Sequence, residues 1–243
     1  MPSRNIPRTL TERLERLLES ARNSDYYSKF LSPSGDIDLN DLPLITAAEF
    51  YSSRNDFVNR RGQNETPELR YPLQPEPVVK VLIPGFKPVP WILGPSSEGR
   101  YDTIAAPVDK LRQVARNGRE LRYPCIAFVG PNHGLMTGED RELFWKSFRV
   151  PTFEVFLGIH GEVVAEECEA HEGLHVRETT VVESCSGQLA VTSFDCLRTP
   201  VARLLIGMSG RMEHRPCACG SSAPRIMDLT MAPVTRAVVA ATA

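Results

Sequence analysis

The sequence predicts an α/β fold with a helical N-terminus, a mixed α/β middle and a β-rich remainder. Leucines recur at helical spacing near the start of the chain, short apolar runs alternate with helical stretches in the middle, and β-branched runs follow. These patterns are typical of an amphipathic helix, of buried strands and of half-buried strands, respectively. With 243 residues, 42% of them hydrophobic, the chain is long enough to bury a sizeable core.

The N-terminal part predicts two helices separated by a loop. Apolar residues at helical spacing predict the first helix over residues 9–22, with Thr9 and Glu12 as a capping box. Residues 32–41 are rich in Ser, Gly and Asp, which favours a loop. A second, short helix is expected to begin near Thr46.

The middle of the chain alternates between irregular and regular segments. Proline and polar residues predict a linker over residues 63–76 and a loop over 84–95. Apolar runs predict strands at residues 78–83 and 125–129, and helical spacing predicts helices at 108–114 and 137–148.

Four strands are expected in the last third of the chain. They cover residues 155–157, 162–165, 176–182 and 189–192, and a turn at Gly158 joins the first two. The tail after Met231 carries no strong signal. We divide the chain into a helical segment, 1–62, and an α/β region, 63–243, which together are expected to form one compact domain.

Composition excludes several classes of function. Lys plus Arg number 28 and Asp plus Glu number 30, giving a formal net charge of −2, so no basic excess is present to neutralise nucleic acid. No apolar run approaches the roughly 18 residues of a membrane span, and the N-terminus lacks a signal-peptide core. Six cysteines are too few for a disulfide scaffold of this length, so we expect a cytoplasmic protein without nucleic-acid or membrane partners.

Two Cys/His clusters predict a metal site. Cys168 and His171 form a Cys-x2-His pair, and Cys217 and Cys219 form a Cys-x-Cys pair followed by Gly220. Zinc prefers four thiolate or imidazole ligands, and structural sites are commonly built from two close pairs. The spacing therefore favours a structural zinc, with an iron–sulfur cluster or a set of unligated thiols as the alternatives.

The remaining cysteines and His175 are expected to lie outside this metal site. His171 completes the short chelate with Cys168, whereas His175 begins a β-branched run and is expected at a strand entrance. Cys125 lies in an apolar strand and is interpreted as core. Cys185 and Cys196 are isolated in the sequence and are not expected to be ligands.

The same clusters carry a family resemblance. The run from Glu167 to His175, Cys217-Ala218-Cys219-Gly220 with the following Ala223-Pro224-Arg225-Ile226, and the segments 21–27 and 41–46 resemble stretches of phenylacetate–CoA ligase-like proteins. This resemblance touches both ends of the chain and is weak in between.

The resemblance implies an AMP-forming enzyme that activates a small carboxylic acid with ATP and transfers the acyl group to CoA. It also implies a zinc held by Cys168, His171, Cys217 and Cys219, and it assigns Arg203 and His175 to cofactor binding.

The chain departs from that family where catalysis is concerned. Met208 replaces the aspartate that binds ribose in the family, and residues 94–99 lack the Thr and Lys of a phosphate-binding loop. The lid domain with its catalytic lysine is not found. We therefore expect a shortened remnant of the large adenylate-forming domain, its catalysis impaired or lost unless a partner chain supplies the missing parts. A zinc-stabilised, non-catalytic binding or accessory protein is the alternative, and an unrelated small metalloprotein is a third.

Other candidate residues have weaker patterns. His133 lies in a loop after an apolar strand, where α/β folds often hold ligands, but a single loop histidine is more often structural. Glu98, Glu139 and Asp140 have no partner fixed by spacing and are interpreted as surface residues.

Overall fold

The structure is a computed structural model of the chain. It describes residues 10–31, 39, 42–74, 76–87, 92–96, 98–118 and 120–232. Thr9, most of the loop predicted over residues 32–41 and nearly all of the tail after Met231 lie outside these ranges.

The predicted helices are confirmed within these ranges, with small changes at their ends. They are α1 (Leu10–Arg22), α2 (Ala47–Ser52), α3 (Val108–Arg116) and α4 (Gly138–Phe148). Thr46 caps α2 by accepting a hydrogen bond from the Glu49 N–H. Thr137 and Asp140 form a reciprocal capping box at α4, which explains why the start of this helix is readable from sequence. Short 3₁₀ turns occupy Tyr27–Lys29 and Arg54–Phe57.

Thirteen strands are present in the described residues. They are β1 (Ile45–Thr46), β2 (Val79–Val81), β3 (Ile92–Leu93), β4 (Thr103–Pro107), β5 (Cys125–Val129), β6 (Thr152–Leu157), β7 (Val163–Glu167), β8 (Leu174–Val176), β9 (Thr180–Cys185), β10 (Gln188–Ser193), β11 (Leu204–Leu205), β12 (Met208–Glu213) and β13 (Arg225–Met231).

These strands form two sheets. The larger sheet has the order β12-β13-β8-β7-β6-β5-β4-β2-β3, parallel from β6 to β3 and antiparallel from β6 to β12. Every residue of β4 and β5 is buried, as expected for parallel strands covered on both faces. The smaller sheet has the order β1-β11-β10-β9.

The N-terminal segment contributes to the same core as the later strands. β1 pairs in parallel with β11, so that Ile45 lies opposite Leu204. The Tyr27 hydroxyl accepts a hydrogen bond from the Ala202 N–H at 2.8 Å, and Tyr27 itself is fully buried. The boundary at residue 62 stays a prediction.

One strand prediction in the C-terminal half is wrong. The single strand expected over residues 176–182 is two strands, because β8 pairs with β13 in the larger sheet while β9 pairs with β10 in the smaller one. A turn, closed by the hydrogen bond from the Thr180 N–H to the Arg177 carbonyl at 3.0 Å, carries the chain between the sheets. The hairpin of β12 and β13 was not predicted.

None of the helices in the described ranges is long and apolar enough to cross a membrane.

Candidate metal centre

Three adjacent strands bring the two cysteine segments together. Cys168 directly follows β7, which pairs antiparallel with β8, the strand that carries His175. β13 pairs with the other edge of β8 and places Arg225 opposite His175. Cys217 and Cys219 lie in the connection between β12 and β13. This connection passes beside Cys168.

The ligand atoms of Cys168, His175, Cys217 and Cys219 all lie within 4.8 Å of one another. The Sγ atoms of Cys168 and Cys217 are 3.7 Å apart, and the Sγ of Cys219 is 3.5 Å from Nε2 of His175. Three thiols and one imidazole converging on one point match the donor set of a structural zinc site. The described cysteines are all free thiols.

A tight turn aims the second pair of thiols at this point. The Cys217 N–H donates to the Ser221 carbonyl at 2.9 Å, and the Gly220 N–H donates to the Cys217 carbonyl at 2.9 Å. Gly220 has φ +88°, which favours glycine because a Cβ would be strained there.

The pKa values of the cluster differ from thiol to thiol. Burial raises the pKa of Cys168 to about 11, whereas a hydrogen bond from the backbone of Ser221 lowers the pKa of Cys219. Burial and the Arg225 guanidinium both lower the pKa of His175, which favours its neutral form. Neutral imidazole and thiolate are the metal-binding forms, so proton release from Cys168 must accompany metal binding.

His171 lies apart from the four converging ligand atoms, although the Cys-x2-His spacing predicts it as the fourth ligand. Its Nδ1 is 2.9 Å from Oε1 of Glu167, and its ring stacks on Phe153 with 4.9 Å between centroids. The Cys-x2-His spacing suggested a short chelate, but the His171 N–H instead closes a turn onto the Cys168 carbonyl. The next histidine, His175, comes back to the thiols along β8.

Arg225 is a residue of this site that sequence reasoning did not single out. It is buried, and its guanidinium donates to the Glu172 carbonyl at 2.7 Å and to the Arg215 carbonyl at 3.2 Å. It therefore ties the segment after Cys168 to the segment before Cys217. The only sequence signal was its place in the Pro-Arg-Ile stretch of the family resemblance.

A second charged group supports the strand that leads to Cys168. The Arg141 guanidinium on α4 contacts Glu154 on β6 at 2.5 Å and Glu167 on β7 at 2.8 Å. Burial, together with the nearby Glu167 charge and against the pull of Arg141, raises the pKa of Glu154 to about 7. This network joins α4 to β6 and β7, and Cys168 directly follows β7.

The other predicted cofactor residue, Arg203, directly precedes β11 and makes contacts around the smaller sheet. Its guanidinium pairs with Glu183 at 3.2 Å and donates to the Leu42 carbonyl at 2.8 Å. His175 lies on β8 of the larger sheet, whereas Arg203 directly precedes β11 of the smaller sheet, so the two predicted cofactor residues lie beside different sheets.

The loops after β5 and β6 are shaped by their own contacts. His133 closes a turn onto the Gly130 carbonyl at 3.0 Å, and burial lowers its pKa. In the next loop, the Glu162 carboxylate accepts a hydrogen bond from the His160 N–H at 2.8 Å, and burial raises the pKa of Glu162 to about 7. The turn-like sequence after β6 gave no sign that the Glu162 side chain is buried.

Comparison with known proteins identifies the class of fold. No protein-family model matches the chain, and no curated protein sequence matches it. Solved structures do match, and they show that this chain has the mixed α/β fold of the adenylate-forming CoA ligases.

The matching structures include several states of 2-hydroxyisobutyryl-CoA ligase. An open conformation in complex with 2-HIB-AMP and CoA has a TM-score of 0.65 and 13% identity over 93% of this chain and 72% of that chain. A postadenylation state in complex with R3-HIB-AMP has a TM-score of 0.66 and 12% identity over 96% of this chain and 72% of that chain. The match concerns the fold and does not distinguish the phenylacetate–CoA ligase type.

Proposed function

We propose that this chain is a zinc-stabilised binding or accessory protein built on the adenylate-forming ligase fold, and that it does not form acyl-adenylates by itself. The observation that carries the proposal is the position of Met208, which is 0% exposed. In the family that the sequence resembles, this position holds the carboxylate that binds the ribose of ATP.

Met208 cannot take over that role. Its thioether has at most a weak acceptor for hydroxyl groups, and its side chain belongs to the main hydrophobic core. Leu204 and Ile206, which shortly precede Met208, are buried in the same core. The whole run therefore supports packing between the sheets instead of nucleotide recognition.

The use of Arg203 agrees with this interpretation. Its ion pair with Glu183 and its hydrogen bond to Leu42 hold β9 and the segment before β1 against β11. Because the guanidinium makes these contacts, it stabilises the smaller sheet. We therefore propose a structural role for Arg203 in place of cofactor binding.

The metal part of the proposal rests on the donor set. Cys168, His175, Cys217 and Cys219 would hold zinc, which suits three thiolates and one imidazole better than hard oxygen-binding cations do. Four protein ligands leave no open position, so the metal would supply stability rather than hydrolytic or Lewis-acid chemistry. The residues themselves tie β7 and β8 to the β12–β13 connection.

Elemental analysis and calorimetry test this proposal together. Purified protein should contain one zinc per chain and no stoichiometric iron. Titration of the same sample with ATP should give no saturable heat at millimolar concentration. Tight ATP binding would contradict the accessory-protein assignment, and iron in place of zinc would contradict the metal assignment.

Ligase activity within a complex is the second candidate. It is supported by the fold shared with a ligase whose structures contain 2-HIB-AMP and CoA. In this case a partner chain would supply the missing catalytic groups, and this chain would contribute part of a site for a carboxylic acid, ATP and CoA. Calorimetry with small aryl and alkyl carboxylates and with CoA separates the two candidates, because only the second requires acid or CoA binding.

A further inference from the structure

The three thiols of the cluster differ in their access to solvent. Cys219 is exposed, Cys168 is half-buried, and Cys217 is only 5% exposed. The turn that carries Cys219 is open on its outer side, since a Cβ added at Gly220 would meet nothing within 4 Å. A small soluble oxidant can therefore reach Cys219 more easily than the other two thiols.

These thiols are also close enough to form a disulfide after small movements. The Sγ atoms of Cys168 and Cys219 lie within 4.8 Å of each other, against about 2.05 Å in a disulfide. Because the two residues come from different segments, a bond between them needs rotation of the exposed Cys219 side chain and little movement of β7. Cys217, by contrast, is separated from Cys219 by a single residue in a hydrogen-bonded turn, which restricts a bond between those two.

We propose that Cys219 is a site of oxidation by hydrogen peroxide or a related hydroperoxide, that Cys168 resolves it as a disulfide, and that the metal is thereby released. The proposal rests on the zinc site proposed above and adds a regulatory property to it.

The chemistry balances in two steps. The Cys219 thiolate attacks one peroxide oxygen, the O–O bond breaks, and hydroxide leaves, so that Cys219 becomes a sulfenic acid. The Cys168 thiolate then attacks the Cys219 sulfur, the S–O bond breaks, a second hydroxide leaves, and the S–S bond forms. The two cysteines lose two electrons and the peroxide gains them.

Loss of these two thiolates removes half of the ligand set. Only Cys217 and His175 remain, and two ligands do not satisfy the four-coordinate preference of structural zinc. Oxidation would therefore convert a cross-link through metal into a cross-link through sulfur. A thiol reductant with added zinc would restore the original state.

The test uses the full chain loaded with zinc, whose metal content is measured before any peroxide is added. Hydrogen peroxide is then added in the presence of a zinc-responsive dye. The remaining free thiols are blocked, and the disulfide-linked peptides are mapped by mass spectrometry. We expect one zinc released per disulfide formed, a Cys168–Cys219 linkage, and reversal by dithiothreitol plus zinc. A chain that takes up no zinc fails at the loading step, which overturns the metal site itself and with it this proposal.

Two variants sharpen the test. Cys219→His keeps four possible ligands but removes the exposed thiol, so zinc release by peroxide should slow by roughly tenfold or more. Cys185→Ser removes a half-buried thiol on β9 and should behave like the wild type. If Cys219→His does not hold zinc, the disulfide map of the wild type shows whether Cys168 and Cys219 form the proposed bond. A linkage between other cysteines, zinc retained after oxidation, or unchanged release in a zinc-loaded Cys219→His would each overturn the proposal.

Discussion

His175 and Cys219 face each other between β8 and the β12–β13 connection, with Nε2 of the imidazole 3.5 Å from Sγ of the thiol. This contact identifies which of two nearby histidines belongs with the three cysteines. His171, only four residues earlier, is turned toward Glu167 and Phe153 instead.

The first prediction compares these two histidines. His175→Ala should lower the zinc content of the purified protein from one per chain toward zero under dialysis against a mild chelator, because it removes one of four ligands. His171→Ala is the matched control and should keep its zinc. Elemental analysis of both variants decides, and metal loss from His171→Ala alone would mean that the original sequence-based assignment is correct.

The second prediction concerns stability without metal. Zinc at this site would join β7 and β8 to the β12–β13 connection, and binding energy at structural sites contributes directly to folding. We expect a strong chelator to lower the melting temperature by about 10 °C or more, since about 1 kcal/mol shifts Tm by roughly 2–4 °C in a chain of this size. The same chelator should not change the Tm of His175→Ala.

The third prediction concerns Asp140, which was interpreted from sequence as a surface residue. The structure corrects this: Asp140 is buried at the N-terminus of α4, accepts the Thr137 N–H and pairs with Arg112 through contacts of 2.6 and 2.8 Å. The Arg112 hydrogen bond, with those from Thr137, lowers the pKa of Asp140 to about 2. Asp140→Ala should cost about 2 kcal/mol of unfolding free energy, because the capping box and the ion pair are both lost.

The pH dependence of that cost has a fixed sign. The ionised Asp140 is favoured in the folded state, so its contribution is present above the unfolded pKa of 3.8 and is lost as pH falls through about 2. Urea unfolding between pH 6 and pH 2 should show the wild type and Asp140→Asn converging at the acid end. Glu139→Gln, at the neighbouring exposed position, is the control and should be neutral.

The fourth prediction tests the place of Met208 in the core. Met208→Leu should cost less than about 1.5 kcal/mol, whereas Met208→Asp should cost more than about 4 kcal/mol because it buries an unpaired carboxylate. Chemical denaturation measures both. A stable Met208→Asp would show that this position borders a solvent-filled site, which would reopen nucleotide binding there.

Much of the fold could be predicted from local patterns. Thr46 and Thr137 cap their helices through contacts within a few residues. The continuous apolar run from Cys125 to Val129 indicates a buried strand before its partners are known. Sheet membership could not be predicted in this way, because β8 and β9 are adjacent in sequence yet pair with strands of different sheets. The hairpin of β12 and β13 mixes charged and apolar residues, since it lies at the edge of the larger sheet.

Local spacing predicts the cysteines of the candidate site but not its histidine. The Cys217 and Cys219 thiols form a pair that is visible in the sequence spacing. The structure brings both of them within 4.8 Å of the Cys168 thiol. The choice between His171 and His175 depends on the path of the chain after Cys168, where a turn sends one imidazole to Glu167 and β8 carries the other back to the thiols. Residue spacing contains no information about that path.

The proposal that this chain forms no acyl-adenylate by itself can be tested by pyrophosphate exchange. Exchange of pyrophosphate into ATP is measured with the zinc-loaded chain alone, over a panel of aryl and alkyl carboxylates. Adenylation needs ribose and phosphate contacts that the proposed function holds to be absent, because Met208 is buried and the sequence of residues 94–99 contains no Thr or Lys. Loss of a single well-placed charge-stabilising donor often costs roughly 10²–10³ in rate. We predict no exchange above the rate without acid. Clear exchange that depends on one of the acids would contradict this prediction and would establish the chain as an active ligase domain.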